Sequence, residues 1–273
     1  MTADRITGAD AGPIPGADSE RGVTVLHLYA VLVALRFLAS LFLSEPVILP
    51  DELAFQSMAR GFFASGHFGT TAAAEIGAPT GLGYVLYPVL LSVAFLFGDN
   101  FLVAGKLLNA LLINAAIFPF YGILRDFLPK RGSAPAAALP LLLPSFGFSA
   151  FLMAENIAIP LAALGLFLLY RLFTRKRAAD AVLSAVVLML LFLSKHQSAA
   201  YLAAVPVVAL LLTFGRPRAN RERGGAREIL TLLGIMAFTI AAVGLVFNLA
   251  VPGSVRRMSE ISWKVAKGIG LPL

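Results

Sequence analysis

The sequence predicts an all-helical integral membrane protein with about seven transmembrane helices, and three observations support that class. Hydrophobic residues make up 59% of the 273 positions and charged residues only 14%, against about 25% charged residues in a soluble domain. Mean hydropathy is +0.84. The apolar residues are collected in long runs, most of them near the roughly 20 residues that a spanning helix needs. A chain with this much apolar surface is predicted to have a lipid bilayer as its solvent.

The apolar runs divide the chain into three parts. Eight runs follow one another at 23–43, 83–97, 101–124, 134–153, 156–173, 179–194, 199–214 and 229–250. Residues 1–22 are polar and rich in Gly and Pro, so they are predicted to form a disordered cytoplasmic tail. Residues 23–250 then form the transmembrane module. Residues 251–273 combine basic residues with apolar ones at helical spacing, which predicts an amphipathic segment along the membrane surface.

The basic residues predict which side of the membrane each loop faces. They cluster at 125–131, 171–177 and 216–227, with two apolar runs between successive clusters, so all three share the cytoplasmic side. If the run 83–97 does not cross, the N-terminus is cytoplasmic, seven helices span, and the loop 44–100 is extracytoplasmic. If it crosses, the N-terminus lies outside and that loop is largely cytoplasmic. The run is short and contains Pro88, which favours an in-plane or re-entrant helix and the first topology.

The composition also excludes several classes of function. The chain has no cysteine, which excludes disulfides, Cys-ligated zinc and thiol catalysis. Its net charge of +7 is distributed over loops between apolar runs, so nucleic acid is not an expected partner. His27, His67 and His196 have no metal-ligand spacing, so a histidine-based metal site is not expected either.

The loop after the first run carries a candidate acid pair. Asp51 and Glu52 follow Pro50, which predicts that they lie in the first turn of a helix, where free backbone N–H groups favour carboxylates. Apolar residues then alternate with polar ones, including Arg60, so the helix is predicted to lie at the membrane interface.

A second set of candidates falls on the same predicted side. Glu155 lies between two apolar runs, and Lys195 and His196 fall at the next extracytoplasmic turn. Carboxylates that meet a cation and an imidazole suit a reaction in which a hydroxyl loses its proton and a phosphate leaves.

Charged and aromatic residues inside the apolar runs need a separate interpretation. Arg36 and Lys106 are costly there, but both lie near predicted extracytoplasmic helix ends, from which their side chains reach the interface. A role in binding a lipid phosphate stays open for both. Tyr87 and Phe95 are interpreted as aromatic anchors at the interface.

The order of these features resembles a known group of membrane enzymes. The resemblance rests on PDELAFQSMARGFFASGHFG after the first run, on PTGLGYVLYPVLLSVAFLFG and VAGKLLNALL, and then on LPSFGFSAFLMAENIAIPL and LSKHQ. Together these segments resemble the GT-C glycosyltransferases that use polyprenyl-phosphate donors, among them protein O-mannosyltransferases and aminoarabinose–lipid A transferases. The resemblance extends over residues 23–250 and implies in-plane helices in the first extracytoplasmic loop.

The resemblance implies an inverting transfer of a sugar from a polyprenyl-phosphate donor to a lipid, glycan or protein acceptor in the cell envelope. By position, Asp51 is the expected general base and Glu52 its neighbour. Glu155 would orient the acceptor, or bind a divalent metal in those relatives that use one. Lys195 would neutralise the donor phosphate, together with His196, Arg60, Arg36 and Lys106. The active site would face the outside of the inner (plasma) membrane, among membrane lipids.

Two other functions stay open. A transporter or lipid flippase is one, although such proteins commonly bind their substrate near the bilayer midplane between related halves, and no internal repeat is evident. A truncated, non-catalytic partner of a larger transferase is the other, because members of the resembled family usually extend well past this length.

Overall fold

The computed structural model describes residues 17–42, 50–66, 85–143, 149–195 and 225–250, with positions 200, 204, 205 and 207. Every regular element in these ranges is a helix. The α-helices are α1 (Ala17–Phe42), α2 (Pro50–Ser65), α3 (Leu86–Ser92), α4 (Phe101–Asn114), α5 (Ile117–Leu124), α6 (Lys130–Ala138), α7 (Glu155–Arg175), α8 (Ala178–Ser194) and α9 (Gly225–Ala250). Two 3-10 helices, Val93–Asn100 and Leu139–Leu142, continue α3 and α6.

The structure agrees with an all-helical membrane protein. Three described stretches are long and apolar enough to cross a membrane: Thr24–Phe42, Leu86–Leu124 and Glu155–Arg175. Helix α8 and the segment Ile229–Leu245 are apolar but shorter. The number of seven spans and the side that each end faces stay predictions. The run 199–214 lies largely outside the described residues, and the segment 251–273 and residues 1–16 of the predicted tail lie wholly outside them. Helix α1 begins at Ala17, so residues 17–22, which were predicted to belong to the disordered tail 1–22, are helical.

The stretch Leu86–Leu124 folds back on itself at Gly98. This residue has φ 57° and ψ −125°, a conformation that glycine adopts far more readily than residues with a Cβ. The Tyr87 hydroxyl reaches Asn109, and Leu91 lies beside Gly105, so the chain before Gly98 runs antiparallel to α4. The predicted run 83–97 therefore forms, over its described part, one arm of a helical hairpin.

The run 134–153 shows how proline shortens a helix. Helix α6 contains Pro135 and ends at Ala138, and the backbone continues as a 3-10 helix through Pro140 to an extended Leu143. Proline has no N–H to donate, so it disfavours a continuous ladder of helical hydrogen bonds. Within the described residues, the helix covers only the first part of this apolar run.

The contacts between helices define two opposite ends of the bundle. Asp126 accepts a hydrogen bond from Tyr170 near the C-terminal end of α7, and Arg171 pairs with Asp180 across the turn to α8. At the other end of α7, Glu155 pairs with Lys195. We call this second end the Glu155 end. It lies opposite the basic residues that follow α5 and α7.

Candidate functional site

Helix α2 carries the predicted acid pair to the Glu155 end of the bundle. Pro50 is its first residue, which suits proline because the first N–H of a helix has no partner within the helix. Asp51 lies in the same first turn, but its side chain lies outside the described part of the structure. Phe55 packs edge-on against the Tyr87 ring, with 5.4 Å between ring centroids and an angle of 84°. This contact fixes α2 against α3.

Glu52 is buried where α2 meets the turn before α7. Only 7% of the residue is exposed. Its Oε1 atom accepts a hydrogen bond of 3.2 Å from the backbone N–H of Leu152, 100 positions further along the chain. Among the described residues, no group hydrogen-bonds to Oε2, which is also buried.

Burial changes the acidity of this carboxyl group. It raises the pKa of Glu52 because an apolar environment disfavours the charged form, and the Leu152 N–H and the charge of Lys106 lower that pKa only in part. Glu52 therefore holds its proton to a higher pH than an exposed glutamate. The charge of Lys106 therefore acts on this carboxyl, an interaction that the sequence did not predict.

A buried polar network holds the turn that Glu52 contacts. The Tyr87 hydroxyl donates to Asn109 Oδ1 at 2.8 Å. The side-chain amides of Asn109 and Asn156 both donate to the carbonyl of Phe151, at 2.8 Å and 2.9 Å. All three side chains are fully buried. Buried polar groups stabilise one arrangement when they are paired, so the network fixes residues 151–156 relative to α3 and α4.

Glu155 and Lys195 form an ion pair at the same end. Glu155 is the first residue of α7, where the helix dipole favours a carboxylate, and Lys195 follows the last residue of α8. Lys195 Nζ donates directly to Glu155 Oε1. The predicted approach of these two loops is present in the structure. His196 lies outside the described residues.

The other predicted phosphate-binding residues have different partners. Arg36 donates to Asn114 Oδ1 at 3.0 Å and to the carbonyl of Leu141, which joins α1 to α4 and to the second 3-10 helix. Lys106 donates to the carbonyl of Ser40 at 2.9 Å. The Arg60 guanidinium lies over the Phe95 ring, 5.6 Å from its centroid. The structure thus leaves Arg60 exposed near the hairpin and places Arg36 and Lys106 in contacts between helices.

An apolar groove runs along the hairpin that Gly98 creates. Its volume is about 380 Å³, and its walls come from the first 3-10 helix and from α4: Val93, Ala94, Phe97, Asn100, Val103, Ala104, Leu107, Leu108 and Leu111. Sequence reasoning did not find the groove, because it exists only where the two arms of the hairpin lie side by side.

Sequence reasoning also misjudged one network residue and passed over two others. Tyr87, interpreted as an interface anchor, is completely buried and bonded to Asn109. The available signal was an asparagine inside the apolar segment VAGKLLNALL, since polar groups within apolar helices commonly face a polar partner. Asn156, next to Glu155, carries the same signal. Among the described residues, no group of three or more His, Cys, Asp or Glu side chains lies close enough to hold a metal ion.

Comparisons with protein families, with characterised proteins and with solved structures gave no match to this chain.

Proposed function

We propose that this protein is a GT-C-like membrane glycosyltransferase that moves a sugar from a polyprenyl-phosphate donor to an acceptor at the extracytoplasmic face, with inversion. One observation carries the proposal. Helix α2, which holds the Asp51–Glu52 pair, packs onto the turn before Glu155, and Glu155 in turn holds Lys195. Candidate groups from three separate segments thus lie at one end of the bundle, which is what the resemblance to the GT-C enzymes requires of an active site.

The proposed reaction is a single displacement. An acceptor hydroxyl gives its proton to the Asp51 carboxylate while its oxygen attacks the anomeric carbon from the face opposite the phosphate. The bond between the anomeric carbon and the phosphate oxygen breaks, and polyprenyl phosphate leaves with the electron pair. An ammonium group has three N–H donors, so Lys195 would keep its bond to Glu155 and still donate to a phosphate oxygen.

The apolar groove supports a donor with a long hydrocarbon chain. Its walls are almost wholly carbon. The groove lies on the hairpin that turns at Gly98, and the Tyr87 hydroxyl of that hairpin donates to Asn109 in the polar network beside Glu52. A polyprenyl chain is already dissolved in hydrocarbon, so the groove would hold it by van der Waals packing and shape, not by removal of apolar surface from water. We place the isoprenoid chain nearest the phosphate in this groove.

The membrane arrangement forms part of the proposal. The Glu155 end faces the extracytoplasmic side, and the basic residues that follow α5 and α7 face the cytoplasm, in agreement with the positive-inside rule. The hairpin arm that precedes Gly98 is the re-entrant element of the first loop, and the whole chain contributes seven spans.

The experiment that tests the proposal is sugar transfer from radiolabelled polyprenyl-phosphate sugars in membranes that contain the protein. We expect Asp51→Asn to abolish transfer at unchanged expression, because the amide cannot accept the proton. The matched control is Asp126→Asn at the opposite end of the bundle, which should retain activity. Full activity of Asp51→Asn would refute the assignment of the base. If the wild type transferred sugar from none of the donors, the proposed glycosyltransferase activity would be refuted, and a transporter or a non-catalytic partner would be favoured.

The groove is tested in the same assay. Val103→Trp fills the groove, so we expect it to raise the KM for the donor by about tenfold, equivalent to about 1.4 kcal/mol of lost donor binding. Val182→Trp is the control, because Val182 on α8 is an apolar residue of similar exposure outside the groove. Equal KM values for the two variants would exclude the groove as the binding site of the donor chain.

A further inference from the structure

Glu52 is buried where helix α2 meets the turn before α7, and it forms a hydrogen bond across that contact. We propose that Glu52 is a positioning residue: its hydrogen bond to Leu152 fastens the first turn of α2 to residues 151–155 and thereby sets Asp51 relative to the Glu155–Lys195 pair. The catalytic part of this inference rests on the proposed function. The structural part, the link between α2 and the turn, stands independently of it.

The position of Glu52 on α2 supports this role. Ala54, Phe55, Met58 and Ala59 are buried on the same helix, so Glu52 belongs to the side that packs against the bundle. A carboxylate that exchanges protons with an acceptor needs access to that acceptor, whereas Glu52 is 7% exposed and uses one oxygen to bind a backbone N–H. A buried N–H without an acceptor is destabilising, so the bond from the Leu152 N–H to Glu52 stabilises the turn as well as α2.

The turn that receives this bond is itself rigid. Its Phe151 carbonyl accepts from two buried amides, and Asn156 also donates to the Met153 carbonyl at 3.1 Å. Glu155 follows within the same segment. A bond from Glu52 to Leu152 therefore connects α2 to a fixed point three residues away from the Glu155–Lys195 pair. Small displacements of a catalytic group lower the rate steeply, by about 100-fold for a shift of 1 Å, so this connection matters for Asp51.

Two substitutions separate positioning from catalysis. Glu52→Gln keeps an oxygen that accepts the Leu152 N–H and removes the acid. Glu52→Met keeps a similar length and removes both, and Glu52→Ala replaces it if the methionine variant does not fold. Gln56→Ala, one turn along the same helix, is the control for a polar truncation in α2.

The first measurement is amide hydrogen exchange of the segment around Leu152 in detergent-solubilised full-length protein. We expect the wild type, Glu52→Gln and Gln56→Ala to protect this segment equally. Glu52→Met should exchange about tenfold faster, because loss of one hydrogen bond is equivalent to about one factor of ten in the opening equilibrium. Equal protection in Glu52→Met and the wild type would overturn the structural link.

The second measurement is the transfer assay on the same variants. We expect Glu52→Gln to keep kcat within about threefold of the wild type and Glu52→Met to lower kcat by about 100-fold with little change in the donor KM. If Glu52→Gln keeps its protection but is as inactive as Asp51→Asn, Glu52 is catalytic and the positioning role is wrong. If the exchange results hold while the wild type transfers no sugar, the link stands and the proposed function fails.

Discussion

The Glu155–Lys195 ion pair provides the sharpest test of the geometry at the proposed site. The perturbation is a double-mutant cycle with Glu155→Gln, Lys195→Met and the double variant. The two side chains are 20% and 24% exposed, so the pair lies between a surface and a buried salt bridge. A surface pair contributes about 0–1 kcal/mol, and loss of one partner from a buried pair costs about 3–5 kcal/mol. We therefore expect each single variant to lose about 2 kcal/mol of stability and the cycle to give a coupling of about 1–2 kcal/mol.

The assay is unfolding by SDS in mixed micelles, followed by far-UV circular dichroism, with the free energy of unfolding compared among the four proteins. Arg125 and Asp126 provide the matched control cycle, because their charged atoms lie 3.8 Å apart and their side chains are 48% and 44% exposed. An exposed pair of this kind should give a coupling below about 0.5 kcal/mol. A coupling at Glu155–Lys195 as small as that of the control would refute the ion pair as a stabilising contact at this end.

Two further predictions concern packing and pH. Gly122→Ala should destabilise the protein by about 1–3 kcal/mol, because a new Cβ atom would lie 2.6 Å from Phe167. Gly165→Ala, whose Cβ would meet its nearest neighbour at 3.5 Å, should be neutral or slightly stabilising in the same SDS unfolding assay. Burial raises the pKa of Glu52, so its contribution to stability is complete below the ordinary carboxyl range and is lost as pH rises through the raised value. Between about pH 4 and 8, the melting temperature of the wild type should therefore fall more steeply with rising pH than that of Glu52→Gln. Parallel plots of melting temperature against pH would contradict the raised pKa of Glu52.

Several features of the fold followed from local sequence alone. Composition and the length of the apolar runs predicted an all-helical chain suited to a membrane, since hydrocarbon favours helices that pair their own backbone groups. The acids after Pro50 were predicted to lie in the first turn of a helix, and they do. The approach of Glu155 and Lys195 followed from counting runs between loops.

Other features depended on contacts between distant segments. The fold-back at Gly98 needs a positive φ angle, which a glycine permits without requiring it. Pro135 and Pro140 are evident in the sequence, but the residue at which α6 gives way to the 3-10 helix could not be predicted from it. Tyr87 was interpreted as an interface anchor because aromatic residues are common there, and its buried bond to Asn109 depends on the hairpin.

The candidate site divides in the same way. Residue type and spacing identified Glu52, Glu155 and Lys195 as candidate site residues, because carboxylates and cations at the ends of apolar runs can be recognised in the sequence alone. The tertiary structure alone decided that Glu52 is buried and bonded to Leu152, 100 positions away, and that the two arms of the hairpin enclose an apolar groove. The physical reason is that periodicity reports which residues of a helix are apolar, whereas burial and hydrogen bonding depend on which other helix packs against them.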